Sequence, residues 1–546
     1  MHGSRRVMCR AMEGIFGDIF EAVAEAVPDR PAQVFGDQTY SWRDLDRRAN
    51  ALARDLLDAG LSEQSKVAAY LYNHPAFLET YFASFKAGLV PFNTNYRYGP
   101  GEITYLFDNA DAEAVVFHAT FAPLIESIRA DLPLVKRWYV VSDGEPEPDW
   151  AVNYESVVGG GAARVVAPWG RSGDHILMIY TGGTTGMPKG VMWPQRDLFH
   201  VLGAGGNLVL GSPPAESNDE IGRRAAEAGE ARQLPGCPLM HGTGQFTAFV
   251  ALTGGGTMVL NPSRHFDAAE MWSLVERESV GSIVIVGDAF GRPLLAALRA
   301  EPDRWDLSSL GLIVSSGVMW SQEVKDGLLE HLPNALLYDS YGSSEAVGLG
   351  ASVSAAGQAE QTATFKLGDR VKVFTEDGRA VEPGSDEDGF VAIAGHGPSG
   401  YYKDEEKSAQ TWRVIDGVRY GIPGDHAKVN PDGTLQLLGR GSVCINTGGE
   451  KVFPEEVEEV LKQHPSVEDA VCVGIPHEQF GESICAVIEP ANGAVDAAEV
   501  IDHVKERLAH YKAPRDVVVI DTIGRAANGK VDYKGLQAKA REVLDR

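Results

Sequence analysis

Tyr180-Thr-Gly-Gly-Thr-Thr-Gly-Met-Pro-Lys-Gly-Val191 concentrates glycines, three threonine hydroxyls and one lysine in a single short stretch. The apolar run Ile176-Leu-Met-Ile179 precedes it and the strand-like Val191-Met-Trp193 follows. Glycine lets the backbone turn and come close to a ligand, and exposed N–H groups, hydroxyls and an ammonium are what a polyphosphate needs around it. The Walker phosphate loop is the first comparison, and the spacing rejects it. That motif needs Gly-Lys-Ser/Thr running into a helix. Here Met187-Pro188 separates Gly186 from Lys189, Gly190 follows the lysine, and the next residues favour a strand. A plain glycine hairpin would explain the glycines but leave the threonines and the lysine unused.

The chain is 546 residues long, more than one ordinary core accommodates, so several domains are expected. Hydrophobic residues at 44% and charged residues at 23% match a soluble globular protein. A net charge of −27, from 49 basic and 76 acidic residues, argues against a nucleic-acid surface. It leaves an anionic nucleotide open, because one loop can be positive within an acidic protein. Cys9, Cys237, Cys444, Cys472 and Cys485 are scattered and form no C-x-x-C pair, so neither a disulfide framework nor a zinc site is indicated. Arg5-Arg6 and Arg10 are not followed by the apolar run of a signal peptide, and no stretch has the length of a membrane span. A reducing cytoplasmic setting is expected.

Outward from the glycine stretch, the pattern alternates. A helix is expected over 15–27, with Ile19, Val23 and Val27 on one face, and a short strand over 39–42. Ser41 can cap the next helix, where Leu45, Ala49, Leu52 and Leu56 fall at helical spacing before Gly60. A strand over 67–71, a helix over 75–87 and a strand over 114–117 continue the rhythm of βα units on a parallel sheet. Residues 211–235 are polar and mixed in charge with no apolar face, and read as a surface excursion, with a lid or regulatory segment as the alternative. Strands over 282–286, 310–314 and 336–338 follow, with a helix face of Val324, Leu328 and Leu332. Glu376-Asp-Gly378, Asp388-Gly389 and Pro431-Asp-Gly433 mark antiparallel hairpins, read as a small β-barrel-like part. A boundary is expected near Gly439-Arg-Gly-Ser442. Beyond it helices over 454–461 and 498–510 and strands over 470–475, 484–488 and 517–520 make a small α+β unit. The expected fold is α/β: a large domain of βα-layered sheets over 1–441 and a small α+β domain over 442–546.

Polar clusters close the strands of the large domain: Ser315-Ser-Gly317, Asp339-Ser-Tyr-Gly-Ser-Ser-Glu345 and Gly287-Asp288. Ligands of open α/β sheets bind outside the carboxyl ends of the strands, although each cluster alone equally fits a turn with capping residues. A carboxylate facing phosphate repels it unless a hard cation intervenes. Mg²⁺ takes one or two carboxylates plus substrate phosphates, which makes Glu345 the candidate ligand, and Tyr341 offers a flat face for a base. Asp425, after the Pro-Gly turn of Tyr420-Gly-Ile-Pro-Gly-Asp425, can accept from ribose hydroxyls, and Arg440 can neutralise phosphate. Surface ion pairs account for both equally well. Lys530 alone reads as an exposed lysine.

As an ordered set, these motifs resemble the adenylate-forming superfamily of acyl-CoA synthetases, luciferases and peptide-synthetase adenylation domains. The set runs from Tyr180–Val191 through Pro238-Leu-Met-His241, Tyr341-Gly-Ser-Ser-Glu345, Tyr420–Asp425, Gly439-Arg440 and Thr447-Gly-Gly-Glu-Lys451 to Gly529-Lys530, nearly the whole chain. Leu438-Gly-Arg-Gly-Ser-Val443, Gly400-Tyr-Tyr-Lys-Asp404, Asp339-Ser340 and the run from Gly448 to Val457 look most like actinobacterial fatty-acyl and steroid side-chain CoA ligases.

The resemblance implies a two-step reaction. A carboxylate and ATP give acyl-adenylate and pyrophosphate, then coenzyme A displaces AMP. That chemistry asks for charge neutralisation and in-line positioning, with no enzyme nucleophile. By position, Thr181, Gly182, Gly183, Thr184, Thr185, Gly186 and Lys189 would cradle the phosphates, with Thr181 and Glu345 near Mg²⁺ and Thr185 and Glu345 among the catalytic groups. Ser316, Gly317, Val318, Asp339, Ser340, Tyr341, Gly342, Ser343 and Ser344 would contact the nucleotide, Gly317, Val318 and Tyr341 flanking adenine. Asp425 would hold the ribose and Arg440 would meet phosphate. Lys530 would bridge the attacking carboxylate and the α-phosphate. His241 would gate the acyl pocket, where Gly242, Gly244, Phe246 and Gly287 suggest room for a sizeable apolar acid, and Gly449 and Lys451 would line the coenzyme A path.

The resemblance also implies a small domain that alternates between two orientations about a hinge at Ser442, where many relatives carry Asp or Lys. Gly524-Arg-Ala-Ala-Asn-Gly-Lys530 lacks the proline and threonine usual in the lysine loop, and Gly182 stands where Ser or Thr is common. The expected ligands are a medium- or long-chain fatty acid or a steroid side-chain acid, ATP, Mg²⁺ and coenzyme A. Neither nucleic acid nor an integral membrane segment is expected, and a homodimer is allowed. An acyl-AMP ligase loading a carrier protein and an inactive nucleotide-binding relative are the alternatives, and a P-loop phosphohydrolase fails on spacing.

Overall fold

The computed structural model describes residues 12–183, 186–206, 211–318, 320–357, 364–440, 443, 445–447, 450–477, 481–508, 510–526 and 531–546. The chain forms two compact units. One comprises Met1–Val284, Asp306–Leu310 and His396–Ser408, the other Ile285–Trp305, Gly311–Gly395 and Ala409–Arg546.

In the first unit an eight-stranded sheet runs Gly400–Tyr401, Gly186–Pro194, Ile176–Gly183, Val90–Asn93, Lys66–Tyr70, Ala112–His118, Arg137–Val141 and Val152–Asn153. From Ile176–Gly183 onward the pairs are parallel, and the first two pairs are antiparallel. A second run pairs Gln38–Ser41, Pro31–Phe35, Thr257–Leu260, Arg232–Pro235 and Ser282–Ile285, parallel after the first hairpin. The βα reading holds in this unit.

Local chemistry sets the helices. Ser41 Oγ accepts from the Asp44 N–H at 3.1 Å and Asp44 Oδ2 accepts from the Ser41 N–H at 3.0 Å, a capping box that opens Trp42–Asp58. Pro75, with no N–H to leave unpaired, opens Pro75–Ala87, and Gly88 closes it at φ 65°. That helix is buried along its whole length, so its charged residues need partners. Lys86 Nζ donates to Glu21 Oε1 and Asp46 Oδ1, both at 2.6 Å, and Arg171 donates to Glu21 at 2.8 Å. Burial pushes the Glu21 carboxyl up, but Arg171 and Lys86 outweigh it and hold the group at about 2.

The stretch 211–235 departs from the surface excursion expected. It holds the helix Asn218–Glu227, capped by Ser217, with Ile221, Gly222 and Ala225 buried, and the strand Arg232–Pro235 lies inside a sheet. Its apolar face is one isoleucine and one alanine four residues apart, set against the helix Phe16–Ala26. A Cβ at Gly222 would sit 2.9 Å from the Ala22 carbonyl oxygen, so small residues supply the contact that a hydrophobic pattern misses.

In the second unit the strands run Leu312–Ser316, Leu336–Ser343, Ala346–Ser354, Thr364–Leu367, Leu435–Arg440, Asp425–Val429, Gly389–Ala394, Val418–Gly421 and Trp412–Ile415, with Val371–Phe374 branching from Gly389–Ala394. The β-barrel-like part is corrected here: these strands form an open, branched path around a core of Tyr341, Leu349, Phe365, Val391 and Leu435. Gly389–Ala394 borders Val371–Phe374 on one side and both Val418–Gly421 and Asp425–Val429 on the other, so the chain branches where closure would have to form.

A five-stranded sheet follows: Glu450–Val452, Ile445–Thr447, Gly481–Pro490 and Val467–His477, with Asp516–Val519 parallel to Gly481–Pro490. Alternate residues of its central pair point to opposite faces. Cys472, Ile484 and Ala486 meet Pro454–Lys462 and Ala497–Lys505, while Val471, Val473 and Val487 meet Tyr533–Leu544. Among the described residues no helix is long and apolar enough to cross a membrane.

Candidate active site

The candidate residues are divided between the two units. In the first, the glycine stretch is a β-hairpin: Ile176–Gly183 pairs antiparallel with Gly186–Pro194, setting Tyr180 opposite Gly190, Thr181 opposite Lys189 and Gly183 opposite Gly186. Thr184 and Thr185 lie outside the described residues. Directly opposed residues share one face of a ladder, so Thr181 and Lys189 stand side by side. Gly190 is a glycine for a steric reason, because a Cβ there would lie 2.9 Å from the Tyr180 ring. The Tyr180 hydroxyl donates to Asn109 Oδ1 at 2.8 Å, fixing that ring.

Lys189 is not alone on the hairpin. Its ammonium pairs with Asp404 and lies 5.8 Å from the centre of the Tyr401 ring. Both residues belong to Gly400-Tyr-Tyr-Lys-Asp404, whose strand Gly400–Tyr401 pairs with the outer edge of the hairpin.

His241 precedes the helix Gly242–Thr253 as its half-buried N-cap residue. The loop that delivers it is held by two asparagines. Asn73 Oδ1 accepts from the Leu239 N–H at 2.7 Å, and Asn73 Nδ2 donates to the Cys237 carbonyl at 3.1 Å. Asn93, only 3% exposed, reaches two elements at once. Its Oδ1 accepts from the Tyr180 N–H at 2.8 Å, and its Nδ2 donates to the carbonyls of Tyr180 at 3.0 Å and Met240 at 2.7 Å. One amide thus ties the strand entering the hairpin to the residue before His241. Gly244 allows close packing, since a Cβ there would lie 2.6 Å from the Pro238 carbonyl oxygen. Phe246 is buried edge-on to Trp193, on the returning strand of the hairpin, at 6.2 Å.

In the second unit Gly287, at φ 50°, opens the helix Gly287–Ala300 and donates its N–H to Ser315 Oγ at 2.9 Å. Ser316 ends the strand Leu312–Ser316, and Gly317, exposed at φ 90°, and Val318 follow it. Asp339 through Ser343 differ from the expected polar loop: they continue the strand to Leu336–Ser343, and only Ser344 and Glu345 make the turn into Ala346–Ser354. Strand alternation buries Asp339 and Tyr341 and leaves Ser340 and Gly342 half-buried on the other side. Asp339 takes a hydrogen bond from Lys325 Nζ at 2.9 Å, and both residues are almost fully buried. Burial pushes the Asp339 carboxyl above its ordinary range, and Lys325 offsets this only in part.

The Tyr341 ring stacks on Phe365 at 5.2 Å, and its hydroxyl donates to Asp425 Oδ2 at 3.0 Å. Asp425 lies opposite Arg440 on the neighbouring strand, so the two late motifs are brought together by register. Lys451 lies in the strand Glu450–Val452, paired with Asn446. Ser442, Gly449 and Lys530 lie outside the described residues.

Sequence reading missed Asn73, Asn93, Lys325 and Asp404 as supporting residues. The one signal was a lone amide ending the apolar run Val90-Pro-Phe-Asn93. Cys237, Cys472 and Cys485 are free and buried, and burial pushes the Cys237 and Cys485 thiols up to about 12, so these cysteines stay protonated. Among the described residues no three His, Cys, Asp or Glu side chains form a metal cage. What the two units present is an ammonium beside a hydroxyl on a tight hairpin, and an aromatic ring joined to a carboxylate.

These features agree with the comparisons. The AMP-binding enzyme family matches residues 20–402, and the AMP-binding enzyme C-terminal domain matches residues 456–530. The chain belongs to the AMP-binding enzyme family. It is 41% identical over 536 residues, 97% of each chain, to a medium/long-chain-fatty-acid–CoA/3-oxocholest-4-en-26-oate–CoA ligase of Mycobacterium tuberculosis. It is 38% identical to a 3-oxocholest-4-en-26-oate–CoA ligase of Rhodococcus rhodochrous, covering 95% of this chain and 94% of that one. The fold matches an anthranilate CoA ligase in complex with anthranoyl-AMP, with a TM-score of 0.83 at 23% identity, over 97% of this chain and 98% of that one.

Proposed function

We propose that this protein is an ATP-dependent, AMP-forming acyl-CoA ligase for a medium- or long-chain fatty acid or a steroid side-chain acid. The observation that carries the reading is the Thr181–Lys189 pair on a glycine hairpin, in a chain alike over nearly its whole length to ligases named for those acids. In the first step the carboxylate oxygen bonds to the α-phosphorus and pyrophosphate leaves. In the second, the coenzyme A thiol, losing its proton, attacks the acyl carbonyl and AMP leaves. Neither step needs an enzyme nucleophile, which suits the buried, protonated Cys237, Cys472 and Cys485.

Lys189 and Thr181 hold the β- and γ-phosphates by charge and hydrogen bond. Tyr341 faces the base and Asp425 accepts from the ribose hydroxyls. Arg440 and Lys530 neutralise charge developing on the α-phosphate and the incoming carboxylate. Glu345 and the Thr181 hydroxyl are hard oxygen donors, the kind Mg²⁺ takes alongside phosphate, and the bound ion would neutralise phosphate charge. His241 gates the acyl side. The domains of this reading span 1–441 and 442–546 with a hinge at Ser442, a boundary that falls within the interval 403–455 between the two family matches.

Lys530→Ala should abolish acyl-adenylate formation from acid and ATP while sparing thioester formation from supplied acyl-adenylate. Equal loss of both half-reactions would refute that role. Pyrophosphate release across short, long and steroid carboxylic acids identifies the substrate, and a product only with a carrier protein in place of coenzyme A would overturn the acceptor.

A further inference from the structure

The segment around Gly400-Tyr-Tyr-Lys-Asp404 is held to the phosphate hairpin more tightly than a surface connection needs. The Ser399 N–H donates to the Met192 carbonyl at 2.9 Å and the Tyr402 N–H to the Gly190 carbonyl at 2.8 Å, extending the sheet by one short strand. Behind it, the Tyr402 hydroxyl and Lys403 Nζ both donate to Asp111, at 2.7 and 2.8 Å. Ser408 Oγ accepts from the Tyr401 N–H at 2.8 Å and donates to the Asp404 carbonyl at 2.6 Å. Asp404 itself therefore has little freedom. One carboxylate oxygen accepts the Lys407 N–H at 3.0 Å, capping the helix Glu405–Thr411, and the other meets the Lys189 ammonium.

We propose that Asp404 is a positioning residue for Lys189, a fixed counter-ion that orients the lysine before nucleotide binds and competes for it as pyrophosphate leaves. The proposal rests on the reading of the hairpin as the phosphate site. Lysine carries three donors and a long flexible stem. With one donor on Asp404 and its ammonium 5.8 Å from the centre of the Tyr401 ring, the lysine is already ordered and keeps two further donors for a ligand. The Lys189 bond and the Lys407 N–H also hold the Asp404 carboxyl below its ordinary range, so it stays charged at neutral pH. The side chains are 38% and 29% exposed, and a pair so open to solvent adds little to stability alone. Its weight falls on the ligand that must share the lysine.

The bland alternative is a helix cap, and one substitution separates the two. Asparagine caps a helix about as well as aspartate, so Asp404→Asn keeps the cap and removes the charge. Steady-state kinetics on the full chain, with MgATP varied and pyrophosphate as inhibitor, should show pyrophosphate inhibiting D404N at about three- to fivefold lower concentration. The KM for ATP should not rise, and kcat should fall by a similar factor as product is held longer; these factors are what an exposed ion pair supports. Asp404→Ala should add a lower melting temperature, because it loses the cap as well.

D404N indistinguishable from the parent in both constants would make Asp404 a cap and nothing more. A higher KM together with weaker pyrophosphate inhibition would overturn the competition. Lys189→Ala is the control for the underlying reading. If it weakens ATP and pyrophosphate while D404N is silent, only the role of Asp404 falls. If it changes neither, the hairpin is not the phosphate site, and both readings fall.

Discussion

Replacing Asn93 by alanine tests whether the hairpin and the His241 loop are held by one buried amide. Three hydrogen bonds end on this side chain, to the Tyr180 N–H, the Tyr180 carbonyl and the Met240 carbonyl, in a site where it is 3% exposed. At about 1 kcal/mol net per bond the loss is on the order of 3 kcal/mol, and larger if no water enters to satisfy the three backbone groups left behind. The nearest structural consequence is looseness where the strand enters the hairpin and where the chain reaches His241. If that cost falls wholly on positioning, kcat for adenylate formation drops on the order of a hundredfold.

Asn93→Asp sharpens the test because it is nearly isosteric. It keeps an acceptor for the Tyr180 N–H but sets an oxygen against two carbonyl oxygens. Only its protonated form can donate to one of them. N93D should therefore be as impaired as N93A at pH 8 and recover part of its activity as the pH falls, whereas N93A should not. The assay is single-turnover pyrophosphate release, with thermal melting to confirm folding. N93A within twofold of the parent, or N93D without pH-dependent recovery, would refute the clamp.

Two further outcomes are expected. Glu21 has a folded value of about 2 against an ordinary 4.5. Its depressed pKa contributes stability that is present above about pH 4.5 and lost as the pH falls from there toward 2. Glu21→Gln should lower stability at pH 7 and flatten that part of the acid limb, read by denaturant unfolding across pH; an unchanged limb would contradict the role of Arg171 and Lys86. Lys325→Met leaves Asp339 buried without its cation, which costs about 3–5 kcal/mol, and adding Asp339→Asn should recover much of it. A double variant as unstable as the sum of the singles would show the two residues are not coupled.

What was legible in the sequence was local. The Ser41 cap, the helix over 75–87 and the apolar runs of the early strands are decided by near neighbours, and the structure keeps them. The strand character of Asp339–Ser343 was not, because serine and glycine have no strand preference of their own; the partner Ala346–Ser354 imposes it. The helix Asn218–Glu227 was hidden for a related reason, since its buried face is one isoleucine beside a glycine and an alanine. Asn93 lies 87 residues from Tyr180, and Asp404 lies 215 residues from Lys189. Neighbouring residues do not say which partner either side chain takes, and only the folded chain brings these residues together.

The hairpin also clarifies why the Walker spacing is absent. A phosphate loop that opens a helix has the helix dipole and a row of N–H groups to attract an anion. A β-hairpin has almost no net dipole, and in its ladder many N–H groups are already spent on the opposite strand. Attraction must then come from side chains, and on this hairpin Lys189 supplies an ammonium within a protein of net charge −27. On the proposed reading of the hairpin as the phosphate site, fixing the lysine on Asp404, which also accepts the Lys407 N–H, leaves it two donors for phosphate. The glycine after the lysine then follows from the same requirement, because the Tyr180 ring must cross the ladder at Gly190 to reach Asn109 and stiffen the strand that carries Thr181.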